Sequence, residues 1–227
     1  MMPLRCVRWV RLPAAVVPLI LAACTGSLFK SKEPPQSTYL LTVAPISAAG
    51  GPQAPQAPSL PATDLTILRP QIRPGLDTRY IAVLYPDRRL DHYAGARWSG
   101  MLDVVLQDLA LQAFRSDGRV GNVHTDASAF GTGDWLEIDV ADFQAEYTDS
   151  AGAAGSRPPI VHVHFVARLG ASGDRHVLGR FEADVHEAAA ENRLTAVVDA
   201  YDRAASEALA KIVAETVQTL DAPSSRP

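Results

Sequence analysis

Cysteine is nearly absent. Two residues in a chain of 227 can build neither a disulfide framework nor a four-cysteine zinc site. Charge of one sign is not massed anywhere. The formal net charge is −4 with no block of like charges, which argues against a broad electrostatic footprint for nucleic acid. Long apolar runs are missing beyond the extreme N-terminus, which excludes a polytopic membrane protein. There is no Gly-x-Ser-x-Gly elbow and no phosphate-cradling Gly-x-x-x-x-Gly-Lys-Ser/Thr loop. What is present is an ordinary globular composition, 47% hydrophobic and 20% charged, enough for one domain with appendages.

The first 24 residues read as an address. Arg5, Arg8 and Arg11 form a positive region without an acid. An apolar stretch follows over residues 12–22, too short to span a bilayer, which needs about 20 residues, but right for a secretory signal. It closes on Leu21-Ala22-Ala23-Cys24, the pattern of a bacterial lipobox. Small side chains admit the peptidase to the bond before Cys24, whose thiol takes a diacylglyceryl group and becomes the new N-terminus. Two or more acyl chains give stable membrane anchoring where one does not. Cleavage removes three arginines and Cys6, so the net charge moves from −4 to −7 and no free thiol remains. Thr25, in place of Asp, assigns the outer membrane by the sorting rule of enteric bacteria.

The expected organisation is a lipoprotein signal peptide over 1–23 and a lipidated tether over 24–63. A globular domain over 64–221 and a disordered tail over 222–227 complete it. Within the tether, Tyr39 to Val43 is a β-prone run that reaches back into the domain. Pro45, Pro52, Pro55, Pro58 and Pro61 then make an extended Pro/Ala-rich linker.

In the domain, residues 65–68 and 80–84 read as strands, with Pro70, Pro74 and Gly75 forcing a loop between them. The spacing predicts a helix over 93–115, with Trp98, Met101, Leu102, Val105, Leu109 and Ala113 on one face and Gly118 as a left-handed stop. Residues 120–124 read as a short strand. Residues 135–147 alternate, but the apolar phase slips after Val140, so a β-bulge is expected at Ala141-Asp142. Residues 150–156 form a Gly/Ala-rich loop. Residues 160–169 and 177–185 alternate again and are expected to pair as a hairpin across 170–174. Pairing Leu169 with Arg175 sets Ala167 opposite Val177, Val163 opposite Phe181, His164 opposite Arg180 and His162 opposite Glu182. A helix over 193–220, capped by Asn192, closes the chain. The fold class is α+β, a mainly antiparallel sheet with two long amphipathic helices on one face.

Candidate chemistry is sparse. His162 and His164 point the same way on one strand, yet that register gives them Arg180 and Glu182 rather than further ligands. His176 and His186 share the face near opposite ends of the strand. The reading is a solvated strand face, with no metal and no cofactor. Asp139, Asp142 and Glu146 sit where nothing desolvates them, so a raised catalytic pKa has no cause. His124 near Asp126 lacks a nucleophile, Gly131-Thr132-Gly133 is a turn, and Trp98 is a core anchor. The chain is therefore not an enzyme. Cys24 is the single modified site, carrying a covalent N-terminal lipid.

These parts in this order resemble the ABC-type transport auxiliary lipoproteins, the PqiC-like family. The resemblance rests on the lipobox at Cys24, the Tyr39-Leu40-Leu41 strand followed by Pro45, and Tyr80-Ile81-Ala82-Val83. It continues through Arg97-Trp98 and the helix running on to Leu109, then Trp135-Leu136-Glu137-Ile138-Asp139-Val140 ending in Phe143. It closes with Ala204-Ala205-Ser206-Glu207-Ala208-Leu209. The insert over 44–63 departs from the pattern. The resemblance implies a non-enzymatic partner of an MCE-type lipid transport system, anchored at the periplasmic face of the outer membrane and able to self-associate. Two other classes compatible with the residues are a structural lipoprotein assisting an outer-membrane assembly and a periplasmic lipid-binding carrier. The weakly favoured contact surface is the strand face around His162, His164, Arg180 and Glu182. Cys24→Ser is expected to abolish incorporation of labelled palmitate and move the protein from the membrane fraction to the soluble one.

Overall fold

The computed structural model describes residues 36–43, 64–127, 133–148, 157–171 and 176–222. The signal peptide, Cys24, the linker over 44–63, the loop over 150–156, most of the 170–174 turn, and the tail beyond Ala222 lie outside them. Within them the chain builds a nine-stranded mixed sheet and two helices, an α+β fold. The strands are β1 (Ser37–Tyr39), β2 (Asp64–Ile67), β3 (Gln71–Ile72), β4 (Tyr80–Leu84) and β5 (Leu90–Trp98). Helix α1 (Leu102–Asp117) precedes β6 (Asn122–Thr125), β7 (Asp134–Glu146), β8 (Ile160–Gly170) and β9 (Val177–Ala188), and α2 (Leu194–Asp221) ends the fold.

β7 is the spine. Its whole length pairs antiparallel with β8, which pairs antiparallel with β9. Its other edge is divided among β2, β3 and β4, which meet it in chain order and run parallel to it. Pro70 and Pro74 have no N–H to give the ladder, so this edge is met by short pieces rather than one strand. β6 lies parallel to β2, β5 antiparallel to β4, and β1 parallel to β5 at the far edge. The long ladders are antiparallel, as expected, while the shorter pairings that fill the sheet are mostly parallel. β1 belongs to the sheet and Leu41 is buried, so the run at Tyr39 reaches back into the folded unit across the linker.

The expected helix over 93–115 divides. Residues 90–98 are strand, and the helix starts at Leu102. Gly95 takes φ 69°, a conformation no helix contains, within a bulge between the pairings Tyr80–Arg97 and Ala82–His92. That bulge destroys the alternation by which a strand is read. Gly118 ends α1 at φ 72°, its N–H donating to the Phe114 carbonyl, as its sequence position predicts. Gln107, outside the predicted apolar stripe, is buried. Its side-chain amide donates to the Ile67 carbonyl and to Asp126 Oδ1. Asn192 does not cap α2. Arg193 holds that position, and Asn192 Oδ1 instead accepts the Tyr147 hydroxyl at 2.7 Å.

Both helices cover one face of the sheet. The inward residues of β7 change parity at the bulge between Val140 and Asp142, so Leu136, Ile138 and Val140 join Phe143 and Ala145 in one core. At its centre, the rings of Trp98 and Tyr201 meet edge-on at 5.2 Å, and Phe143 lies 5.0 Å from Tyr201. Trp98 is thus a core anchor, at the end of a strand rather than the start of a helix. The buried Tyr201 hydroxyl donates to the Ala82 carbonyl at 3.0 Å, tying α2 to β4, and burial raises its pKa well above the usual range. Asp202, beside it, accepts the Thr42 backbone N–H at 2.9 Å and the Thr42 hydroxyl at 3.1 Å. Burial raises the Asp202 carboxyl, and these two bonds oppose the shift.

Tyr201→Phe leaves the core filled but removes that hydrogen bond. It is expected to cost about 1–2 kcal/mol, read as a lower urea midpoint at unchanged m. Asp202→Ala is expected to speed amide exchange at residues 37–42 selectively, because it releases the clamp on the segment that carries β1.

Candidate functional site

Among the described residues the opposite face of the β7–β8–β9 sheet carries no helix. Register sets its side chains in rows: Glu137 beside Arg168 and Arg180, Asp139 beside Val166 and Glu182, Asp142 beside His164 and Asp184, and Gln144 beside His162 and His186. Arg168 pairs with Glu137 at 2.9 Å and Asp139 at 3.2 Å. His164 Nε2 lies 2.8 Å from Glu182, while His162 lies between Glu146 (3.0 Å, on Nδ1) and Asp184 (2.9 Å, on Nε2). Gln144 bridges two carboxylates, donating to Asp142 and Glu146.

The hairpin register differs from expectation by four residues. Ala167 faces Phe181, Val163 faces Val185, His164 faces Asp184 and His162 faces His186. A shift of four keeps every side chain on its face, so alternation cannot detect it. Volume can. The true register places Phe165 against Ala183 and Phe181 against Ala167, a large residue over a small one each time. A third bulge, between Leu169 and Gly170, completes it and leaves Val177 half-exposed. At that end Trp135 lies across Gly170, where a Cβ would come within 2.2 Å of the ring. The direct cross-strand partners of His164 and His162 are therefore Asp184 and His186, while Glu182 meets His164 from the diagonal position and Arg180 lies opposite Arg168.

The other candidates resolve differently. Asp139 is 38% exposed and pairs with Arg168 at 3.2 Å. Asp142 pairs with Arg73 at 3.2 Å. Asp126 is tied to Gln107 of α1. His176 stands at the exposed start of β9, away from the His162 row. Next to Asp142 a cavity of about 240 Å³ opens between Arg73, Arg88, Leu76, Leu84 and Leu90. It is below the roughly 300–1,000 Å³ of small-molecule sites and rimmed by charge, which suits a polar contact better than an acyl chain. A second polar chain lies at the end of β4. The Tyr93 hydroxyl donates to Tyr147, which donates to Asn192, and burial first, then the Tyr147 hydrogen bond, hold the Tyr93 phenol neutral. Among the described residues no helix is long and apolar enough to cross a membrane.

No curated protein matches the sequence. Among solved structures, a Xanthomonas campestris protein of family DUF330 superposes with a TM-score of 0.63 at 24% identity, covering 81% of this chain and 96% of its own. An uncharacterized protein gives 0.59 at 13% identity, over 81% and 99%. Both carry the same fold. A family model described as the ABC-type transport auxiliary lipoprotein component, which is not an enzyme family, matches residues 39–213. That span runs from β1 into the last turns of α2, and the chain belongs to this family of transport auxiliary lipoproteins.

Proposed function

We propose that the protein is an adaptor of an MCE-type ABC lipid transport system. In this reading, lipid on Cys24 holds it at the periplasmic face of the outer membrane, where it docks the MCE protein that bridges from the inner membrane. The observation that carries this reading is the family match over most of the folded unit, from Tyr39 to Val213. The bare sheet face supports it physically. One side of the β8–β9 hairpin is covered by α2, while the other presents acids, histidines and arginines toward solvent. Mixed charge of this kind favours specificity and orientation in docking more than raw affinity. Thr25 after Cys24 supports the outer-membrane assignment. Self-association of the tethered domain is compatible with the same role.

The test is in-cell photocrosslinking from position Arg180 on the exposed face, with a second probe at Lys211 on α2 for comparison. Capture of an MCE protein from Arg180 and not from Lys211 is the expected result. Capture of a β-barrel protein alone would replace the reading with an assembly factor, and stoichiometric co-purifying phospholipid would replace it with a carrier.

A further inference from the structure

His162 and His186 face each other across the β8–β9 ladder with ring centroids 4.0 Å apart and planes 20° from parallel. Asp184 reaches between them. Its Oδ1 lies 2.9 Å from His162 Nε2 and 3.5 Å from His186 Nδ1. A tetrahedral ion bound by nitrogen and oxygen at about 2.0–2.2 Å spaces its ligands roughly 3.2–3.5 Å apart. The two carboxylate–imidazole separations are close to that spacing, the three donor atoms all fall within 4.8 Å of one another, and rotation of the exposed His186 ring out of its stack on His162 brings both lone pairs onto one ion.

The groups behind the rings point the same way. His162 Nδ1 lies 3.0 Å from Glu146 Oε1, and Gln144 Nε2 donates to that same oxygen at 2.9 Å. When an ion takes the place of the Nε2 proton, His162 keeps its Nδ1 proton toward Glu146 and turns the Nε2 lone pair toward the position between Asp184 and His186. A carboxylate behind an imidazole is how proteins orient histidine for a metal. Solvent access fits as well. The His162 side chain is only 16% exposed, whereas those of Asp184 and His186 are 50% and 52%. One ligand is held firmly from below, and two can close over an ion while water fills the remaining position.

Two imidazoles and one carboxylate suit a borderline first-row cation rather than calcium or magnesium, which favour oxygen alone. His164 and Asp142 also lie within reach of His162, but His164 Nε2 is held by Glu182 at 2.8 Å and its Nδ1 stands 3.6 Å from Asp142, so the His186 side offers the more open ligands. We propose that His162, Asp184 and His186 form a divalent transition-metal site, with Zn²⁺ as occupant and Glu146 as the residue that positions His162.

Calorimetric titration of the detergent-solubilised full chain with Zn²⁺ tests this. One ion per chain is expected, with affinity reduced at least tenfold by His186→Ala or Asp184→Asn. Glu146→Gln is expected to weaken binding about tenfold. His124→Ala, on β6, is expected to change nothing. Co²⁺ in place of Zn²⁺ gives a visible absorption band that His186→Ala removes. Protection of His162 and His186 from diethyl pyrocarbonate by Zn²⁺ reads the same site without any substitution. Absence of saturable Zn²⁺ uptake, or uptake that survives replacement of both His162 and His186, would overturn the proposal.

Discussion

The hydrogen-bonding capacity of β7 on both edges sets the rest of the sheet. One edge is taken in full by β8. The other is shared in sequence by three short strands separated by Pro70 and by the Pro74-Gly75 turn. Because those strands run parallel to β7, the chain must cross back before it can form β7 itself. It does so through β5, α1 and β6, and α1 is thereby laid on the inner face. The hairpin β8–β9 extends the opposite side, and α2 closes over it. A single long strand thus decides which face is covered.

The bulge after Val140 has equal weight for the chemistry. Without the extra residue, Phe143 would turn outward, and Asp142 and Gln144 would turn into the core. With it, the apolar rings reach Trp98 and Tyr201, while the carboxylates stay on the solvent side, where His162, His164 and Arg168 meet them. Core and exposed face are two consequences of one inserted residue.

What the sequence discloses follows from what each signal measures. Alternation reports the face on which a side chain lies. It therefore located β7, its bulge, β8 and β9, and separated His162 and His164 from the core. It carries no information on displacement by an even number of residues, and the hairpin register was misjudged by four. The His162–His186 contact was lost with it. The signal that could have found it is the pairing of Phe165 and Phe181 with alanines. Helical spacing found α1 and α2 but absorbed β5, because a strand kinked at Gly95 has no period of two to recognise. The roles of Gln107 and Asn192 escape the sequence for a different reason. Their partners, Ile67 with Asp126, and Tyr147, are distant in sequence, and neither periodicity nor capping preference registers such contacts.

The placement of Trp98 and Trp135 also has an optical consequence. Trp98 is sealed among Phe143 and Tyr201, so its indole emits from an apolar surround. Trp135 lies over Gly170 on the solvent side of the sheet, in partial contact with water. The third tryptophan, Trp9, falls in the segment expected to be cleaved. The mature protein would then hold one blue-emitting and one red-emitting fluorophore, placed on the two faces of a single sheet. Its intrinsic emission therefore reports the interior through Trp98 and the Gly170 end of the outer face through Trp135.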